Sequence, residues 1–289
     1  MRYKCLIIFA TMVFVASLYP APGFASILKT ADEFGVLGSS TVTNTGSSIV
    51  TGDVGVSAGS AIVGFDIPGG PGTLSGTIHS ADSVAAQAQV DAGNAYTGLS
   101  NMPFTQNLTG QDLGGLTLTS GVYHFDSLAQ LTGPLTLDGQ GNNNAFWVFQ
   151  MGSTLTTASA SSVSLTNPGS NNGVYWQVGS SATLGTGSSF IGNIIANQSI
   201  TLTTDANILC GRALALNGAV TMDTNKISAI CDLGSGSHTV SGGLEFNAGG
   251  GIVPAAGVGS GPSAPEPISA SLFLLGGGAM AVRKLRRKK

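Results

Sequence analysis

The sequence predicts a mainly β protein: an irregular parallel β-helix, a solenoid of stacked coils, with one long α-helix packed alongside. Three observations predict it. Between Gly121 and Ser228 short apolar strands recur at a drifting period, the signature of a solenoid. Gly, Ser, Thr and Asn fill the intervals, and Gly alone accounts for 43 of 289 residues. One Ala-rich stretch without Pro, at about 80–100, breaks the β pattern.

Composition bounds the function. Only 9% of the chain is charged, against about 25% in an average soluble domain. The net charge of −3 hides a split: Arg2 and Lys4 open the chain, and Arg283, Lys284, Arg286, Arg287, Lys288 and Lys289 close it. Between Ser26 and Ala264 only Lys29, Arg212 and Lys226 stand against thirteen Asp and Glu, a balance of −10. Nucleic acid is excluded as a partner, because binding it needs a basic footprint. Phosphate chemistry is disfavoured by the same lack of cations and by the absence of a G-x-x-x-x-G-K-[ST] loop.

Residues 1–25 form a secretory signal peptide. Arg2 and Lys4 supply the basic start, Leu6 to Leu18 the apolar stretch, and Gly23-Phe24-Ala25 the small residues that signal peptidase requires. Residues 26–233 form the body. Within it the coils repeat a theme. A first strand is aromatic or aliphatic: Val122–Phe125, Phe146–Phe149, Val174–Trp176, Asn193–Ala196, Ala213–Leu216. A second strand starts at Leu131, Leu155, Leu184, Leu202 and Met222, with offsets of 24, 29, 18 and 20. A third appears at Val163–Leu165, Ser189–Ile191 and Ile208–Leu209. Trp147 and Trp176 belong to the core by their strand context. In the Ala-rich stretch, Ala85, Ala88, Ala92, Ala95, Tyr96 and Leu99 lie at helical spacing, Ser80 or Asp82 can cap the start, and Asp82 and Asp91 are expected to face solvent.

Export places Cys210 and Cys231 in an oxidising compartment, while Cys5 leaves with the signal. An even pair one coil apart predicts a disulfide between adjacent coils; two buried thiols are the alternative. Arg212 is expected to satisfy carbonyls at a coil turn, with Asp205 and Asp232 as candidate acids. Residues 234–264, rich in Gly, Ser, Pro and Ala, are expected to be a flexible tether.

Residues 265–289 combine Pro265-Glu266-Pro267, the apolar run Ile268–Val282 and the basic cluster. A short apolar run followed by cations marks an inner-membrane stop with its positive end in the cytoplasm. The order resembles the PEP-CTERM sorting signal of Gram-negative bacteria. The resemblance implies transient anchoring in the inner membrane, processing by an exosortase, and delivery to the cell surface or the extracellular matrix. An ordinary tail anchor is the alternative.

The body also resembles a family. Val42-Thr43-Asn44-Thr45-Gly46, Thr51-Gly52-Asp53-Val54-Gly55-Val56, the helix ending in Ala95-Tyr96, Leu113-Gly114-Gly115-Leu116, Gly121-Val122-Tyr123, Val174-Tyr175-Trp176-Gln177-Val178-Gly179 and Gly211-Arg212-Ala213-Leu214-Ala215 are similar to the DUF3494 ice-binding protein family, in the family's order from about Phe34 to Cys231. The resemblance implies a discontinuous right-handed β-helix that binds an ice crystal surface through one flat face, without metal, cofactor or enzymatic activity.

Ice adsorption needs a flat, rigid array of side chains carrying a hydroxyl beside a methyl. Thr supplies both, and its β-branch leaves little rotamer freedom to lose. Stacking the second strands gives a candidate ladder of Thr157, Thr186, Thr204 and Thr224, with Thr51 as an earlier rung and Ser159, Ser188 and Asn207 beside it. If the Thr224 rung is extended, strand alternation turns Asp223 away from it. The family's T-A/G-x-T/N pattern corresponds to Thr157-Ala158-Ser159-Ala160, Thr186-Gly187-Ser188-Ser189 and Thr204-Asp205-Ala206-Asn207, of which only the last keeps the terminal Asn. A solvated Thr face is equally common in β structure. A matrix or adhesive protein that binds exopolysaccharide on the same scaffold is therefore the alternative function.

Other constellations are weaker. Gly55-Val56-Ser57-Ala58-Gly59 fits G-x-S-x-G but lacks the following helix of a nucleophile elbow. Asp138-Gly139-Gln140-Gly141-Asn142-Asn143-Asn144 lacks the ligand alternation of a calcium loop and reads as a turn. His79, His124 and His238 are scattered, and no zinc-type spacing is present.

Overall fold

The computed structural model describes residues 26–65, 69–231 and 240–255. The signal peptide, the sorting segment with Pro265, Glu266 and Pro267, and Asp232 lie outside the described residues. Three columns of parallel strands wrap one core. The first column stacks Gln106–Asn107, Gly121–Phe125, Phe146–Met151, Gly173–Val178, the second halves of Ser189–Ala196 and Asn207–Ala215, then Phe34–Gly38, Asp53–Val56 and Ile78–Ser80. The second stacks Ala129–Leu131, Leu155–Thr157, Ala182–Leu184, Ile200–Leu202, Val220–Met222, Thr41–Asn44 and Ala61–Val63. The third carries Thr117–Leu118, Pro134–Asp138, Ser162–Thr166, the first halves of Ser189–Ala196 and Asn207–Ala215, then Lys226–Ser228, Ile49–Thr51 and Thr73–Leu74.

The stacking order is not the chain order. The N-terminal coils pair with the last coil, Leu37 beside Leu214, Val42 beside Val220 and Val50 beside Ile227. The chain builds outward from this seam to Ile78–Ser80. The helix α1, Ser83–Ser100, then carries it back to the far end, where Gln106 restarts the stack.

Alternation along each strand turns apolar side chains inward. Trp147 and Trp176 are fully buried, and each indole N–H donates to a carbonyl, of Leu118 and Ile191 respectively, at 3.0 Å. Phe149 stacks on Trp176 with centroids 3.9 Å apart. On the outer side of the first column sit Val122, Val148, Tyr175, Ile195, Leu214 and Leu37, and α1 covers them with Ala85, Ala88, Ala92, Ala95 and Leu99. Small alanines let the helix lie close, and its ends are tied down. The Asp82 carboxylate accepts from the Ala85 N–H at 2.8 Å, and the buried Gln150 amide donates to the carbonyls of Leu99 and Met102. The Ala85 N–H, then His79, hold the Asp82 carboxyl below its ordinary value.

Three expectations need correction. Asp91 does not face solvent: it is buried on the flank of α1 against the turn Lys29–Glu33, accepting from the Thr30 hydroxyl at 2.6 Å with the Lys29 ammonium 4.0 Å away. The supposed tether is folded over residues 240–255. Val240 enters the core, the Tyr175 hydroxyl donates to the Gly242 carbonyl, and a hairpin of Leu244–Phe246 and Ile252–Pro254 packs on α1. The apolar Val240, Leu244 and Ile252 give this Gly-rich segment a face to bury, and Gly98 makes room, since a Cβ there would meet Ile252 at 2.6 Å. Arg212 does satisfy carbonyls, but its acid is Asp32 at 2.9 Å, not Asp205. The buried guanidinium also binds Asn193, Ser241 and the Ala229 carbonyl, so it joins the N-terminus, the coils and the C-terminal segment. A Cys210–Cys231 disulfide links adjacent coils, with Cα atoms 4.8 Å apart. Among the described residues no helix is long and apolar enough to cross a membrane.

Candidate functional site: the threonine face

The first column is covered by α1; among the described residues nothing lies over the second. Its strands repeat a triplet with an apolar residue first and Thr at the centre, Leu155-Thr156-Thr157, Ala182-Thr183-Leu184, Ile200-Thr201-Leu202, Val220-Thr221-Met222 and Val42-Thr43-Asn44, the third residue being apolar in three of them. The flanking residues of each triplet are buried, so the central Thr points out. The register aligns Thr156, Thr183, Thr201, Thr221 and Thr43 into one outward row across five consecutive coils, ended by Gln130 and Val63.

Parallel strands repeat at ~4.8 Å and outward residues along a strand at ~6.6 Å, so the face is a near-rectangular grid. Beside the central row lie Thr154, Ser181, Ser199, Ala219 and Thr41 on one side, and Ala158, Gly185, Thr203 and Asp223 on the other. The first two rows carry no charge. Water over them is not held by an ion, so displacing or ordering it costs little. The hydroxyls are positioned by one another: the Oγ1 atoms of Thr201 and Thr221 are 3.5 Å apart, and those of Thr186 and Thr203 are 3.3 Å apart. The Thr203 hydroxyl donates to the Leu184 carbonyl at 2.8 Å. Asp223 marks the rim, and its carboxylate accepts from the hydroxyls of Thr204 and Thr224.

The ladder expected from the sequence is not the row that forms. Thr157 is buried, pairs with Leu131, and accepts from the Gly185 N–H at 2.9 Å. Thr157 lies two residues after the inward Leu155, so strand alternation puts it on the same inward face, and Thr156 is the outward residue of that strand. Ser188 is also buried, and its hydroxyl has no partner. Ser159, Thr186 and Thr204 are exposed on the turns between the second and third columns. Thr224 is half-buried in a turn at φ 59°, so that rung is not extended and Asp223 is not turned away. Thr51 and Asn207 lie in the third column, beside Ser228 and Ser189. The row Thr43, Thr156, Thr183, Thr201 and Thr221 was missed, although the recurring apolar–Thr pair at the start of each short strand was there to find it.

The remaining expectations resolve into structure. The Asp138 carboxylate closes its turn by accepting from the Gln140 N–H and the Asn167 amide. His124 bridges Gln150 and Asp126 under the Phe104 ring. Both tryptophans that a sugar-binding groove would display are buried.

Comparison with known proteins places this geometry among relatives. A family model described as Ice-binding-like matches residues 36–228. An ice-binding protein of Nostoc sp. (strain HG1) is 62% identical over 206 residues, covering 71% of this chain and 75% of that protein. One from Flavobacterium frigoris (strain PS1) is 30% identical over 214 residues, covering 70% and 75%. The crystal structure of an ice-binding protein from the Antarctic ascomycete Antarctomyces psychrotrophicus superposes with a TM-score of 0.67 at 40% identity, over 72% of this chain and 100% of that one.

Proposed function

The chain belongs to the Ice-binding-like family, and from that premise we propose that it is an exported, non-enzymatic ice-binding protein that adsorbs to ice through its threonine face. The observation that carries the proposal is the uncharged outward row Thr156–Thr183–Thr201–Thr221–Thr43 on a sheet that none of the described residues covers. Five methyls and five hydroxyls at a fixed repeat hold a patch of ordered water over the sheet. When that water matches a crystal plane, the protein joins the lattice. Growth continues only as curved fronts between adsorbed molecules, which lowers the local freezing point.

Export rests on the order of segments in the sequence: signal peptide, folded body, Pro265-Glu266-Pro267, apolar run, basic tail. Signal peptidase and an exosortase are the processing partners, and the cell surface or matrix of a Gram-negative bacterium is the destination. Thermal hysteresis and recrystallisation inhibition test the function. The purified protein is expected to shape ice crystals and slow their coarsening, and Thr201→Tyr to weaken both sharply while leaving the fold intact. Unimpeded ice growth in the wild-type protein would overturn the proposal.

A further inference from the structure

We infer that the ice-contacting surface does not stop at the rim of the threonine face but turns the corner onto half of the third column, giving the protein a second ice plane. The inference rests on the ice-binding reading above. The half in question is built by Thr117–Leu118, Pro134–Asp138 and Ser162–Thr166. These strands pair in unbroken parallel register and align Thr117, Thr136 and Ser164 in an outward row.

Their hydroxyls are ordered. Ser164 and Thr166 each donate to a carbonyl of the preceding coil, Leu135 and Leu137, at 3.4 Å. That fixes the rotamers and leaves the oxygen lone pairs facing outward for water. The one acid of the patch, Asp138, is engaged at its own turn. The turn joining the two faces presents Ser159 and Ala160, both exposed, small and uncharged, so the hydroxyl surface continues across the corner.

The other half of the same column is unlike it. The register breaks at a bulge between Phe190 and Ile191, Leu209 and Ile49 project into solvent, and Lys226 places an ammonium on the surface. A rigid lattice cannot follow a bulge, and the ammonium holds its own hydration shell. The second contact therefore ends where the regular register ends, and it meets ice at a different inclination from the threonine face.

The test is ice-plane labelling: a single-crystal ice hemisphere grown in fluorescently tagged full-length protein. Wild-type protein is expected to label two sets of planes. Ser164→Tyr should lose one set and keep the other, and Thr201→Tyr should lose the set that Ser164→Tyr keeps. Circular dichroism melts of both variants control for folding, since both sites project outward. Labelling by Ser164→Tyr identical to wild type would overturn the second plane while leaving the threonine face standing. A wild-type protein that labels no plane would overturn both.

Discussion

The helix-covered face and the threonine face are built from the same coils, present the same kind of apolar residues to the core, and differ on their outer sides alone. One outward row of the covered face runs His124, Gln150, Gln177, Ile195, Leu214, Leu37, Gly55 and His79. Its middle is large and apolar, and its ends are polar and hold the ends of α1. The matching row of the other face is Thr on five successive coils. A row of Leu and Ile left bare would be an aggregation site, so it is covered and contributes stability. A row of Thr tolerates water and stays bare. The comparison teaches that stability and function are placed on separate outer surfaces of one scaffold, so each is open to change without the other.

The sharpest way to break that separation is at Arg212, which stands in the outward row of the first column with Val122, Val148 and Tyr175 and ties three segments together. Arg212→Met strands Asp32 and several buried acceptors, and is expected to cost about 3–5 kcal/mol, seen as a large drop in the denaturant midpoint; both faces should be lost together. Leu214→Ala opens a cavity under α1 and should cost about 2–5 kcal/mol. Below the lowered melting temperature, its thermal hysteresis should equal that of wild type. A loss of hysteresis in the folded variant would show the faces to be coupled.

On the other side of the comparison, Thr157→Val leaves the Gly185 N–H without its partner. It should cost about 1–3 kcal/mol with no change in ice activity, because Thr157 points inward. Thr201→Tyr reverses that pattern, with a stability change within about 0.5 kcal/mol and most of the ice activity lost. The smallest effect concerns pH. Asp82 is held below its ordinary value, so the stability it gives is present above the usual carboxylate range and is lost as pH falls through its folded value. The N-terminal turn of α1 should fray only in acid. An NMR shift of the Ala85 amide reports it, while hysteresis stays constant across neutral pH.

Much of this architecture is legible in the sequence, and the misses share a cause. Val122–Phe125, Phe146–Phe149 and Val174–Trp176 announce strands because their residues alternate or run apolar between turn signals. The helix is legible because alanines repeat at its period, and the Cys pair because two cysteines stand one coil apart. Register is not legible from one coil to the next when coil length drifts. The candidate ladder took the third residue of each second strand instead of the central one; in Leu155-Thr156-Thr157 both are Thr, so nothing in the pattern protests, yet this one-residue slip moves the proposed site from the outward Thr156 to the inward Thr157. Asp91 and the segment 240–255 were misjudged for a related reason: each is polar or Gly-rich locally, and each is buried only by partners, Thr30 and α1, that lie far away in sequence.

The seam between Leu214 and Leu37 sets how the chain must assemble. A simple solenoid grows by adding each coil to the one just made. Here the two N-terminal coils leave the ribosome first and pair with each other, but their inner edge has no partner until residues 207–228 are complete. Every contact across the seam spans most of the body, which raises the contact order and slows the final step. The early coils must wait with one strand edge of each column open. The protein therefore closes like a clasp instead of lengthening like a spring, and its last coil cannot be trimmed without releasing its first.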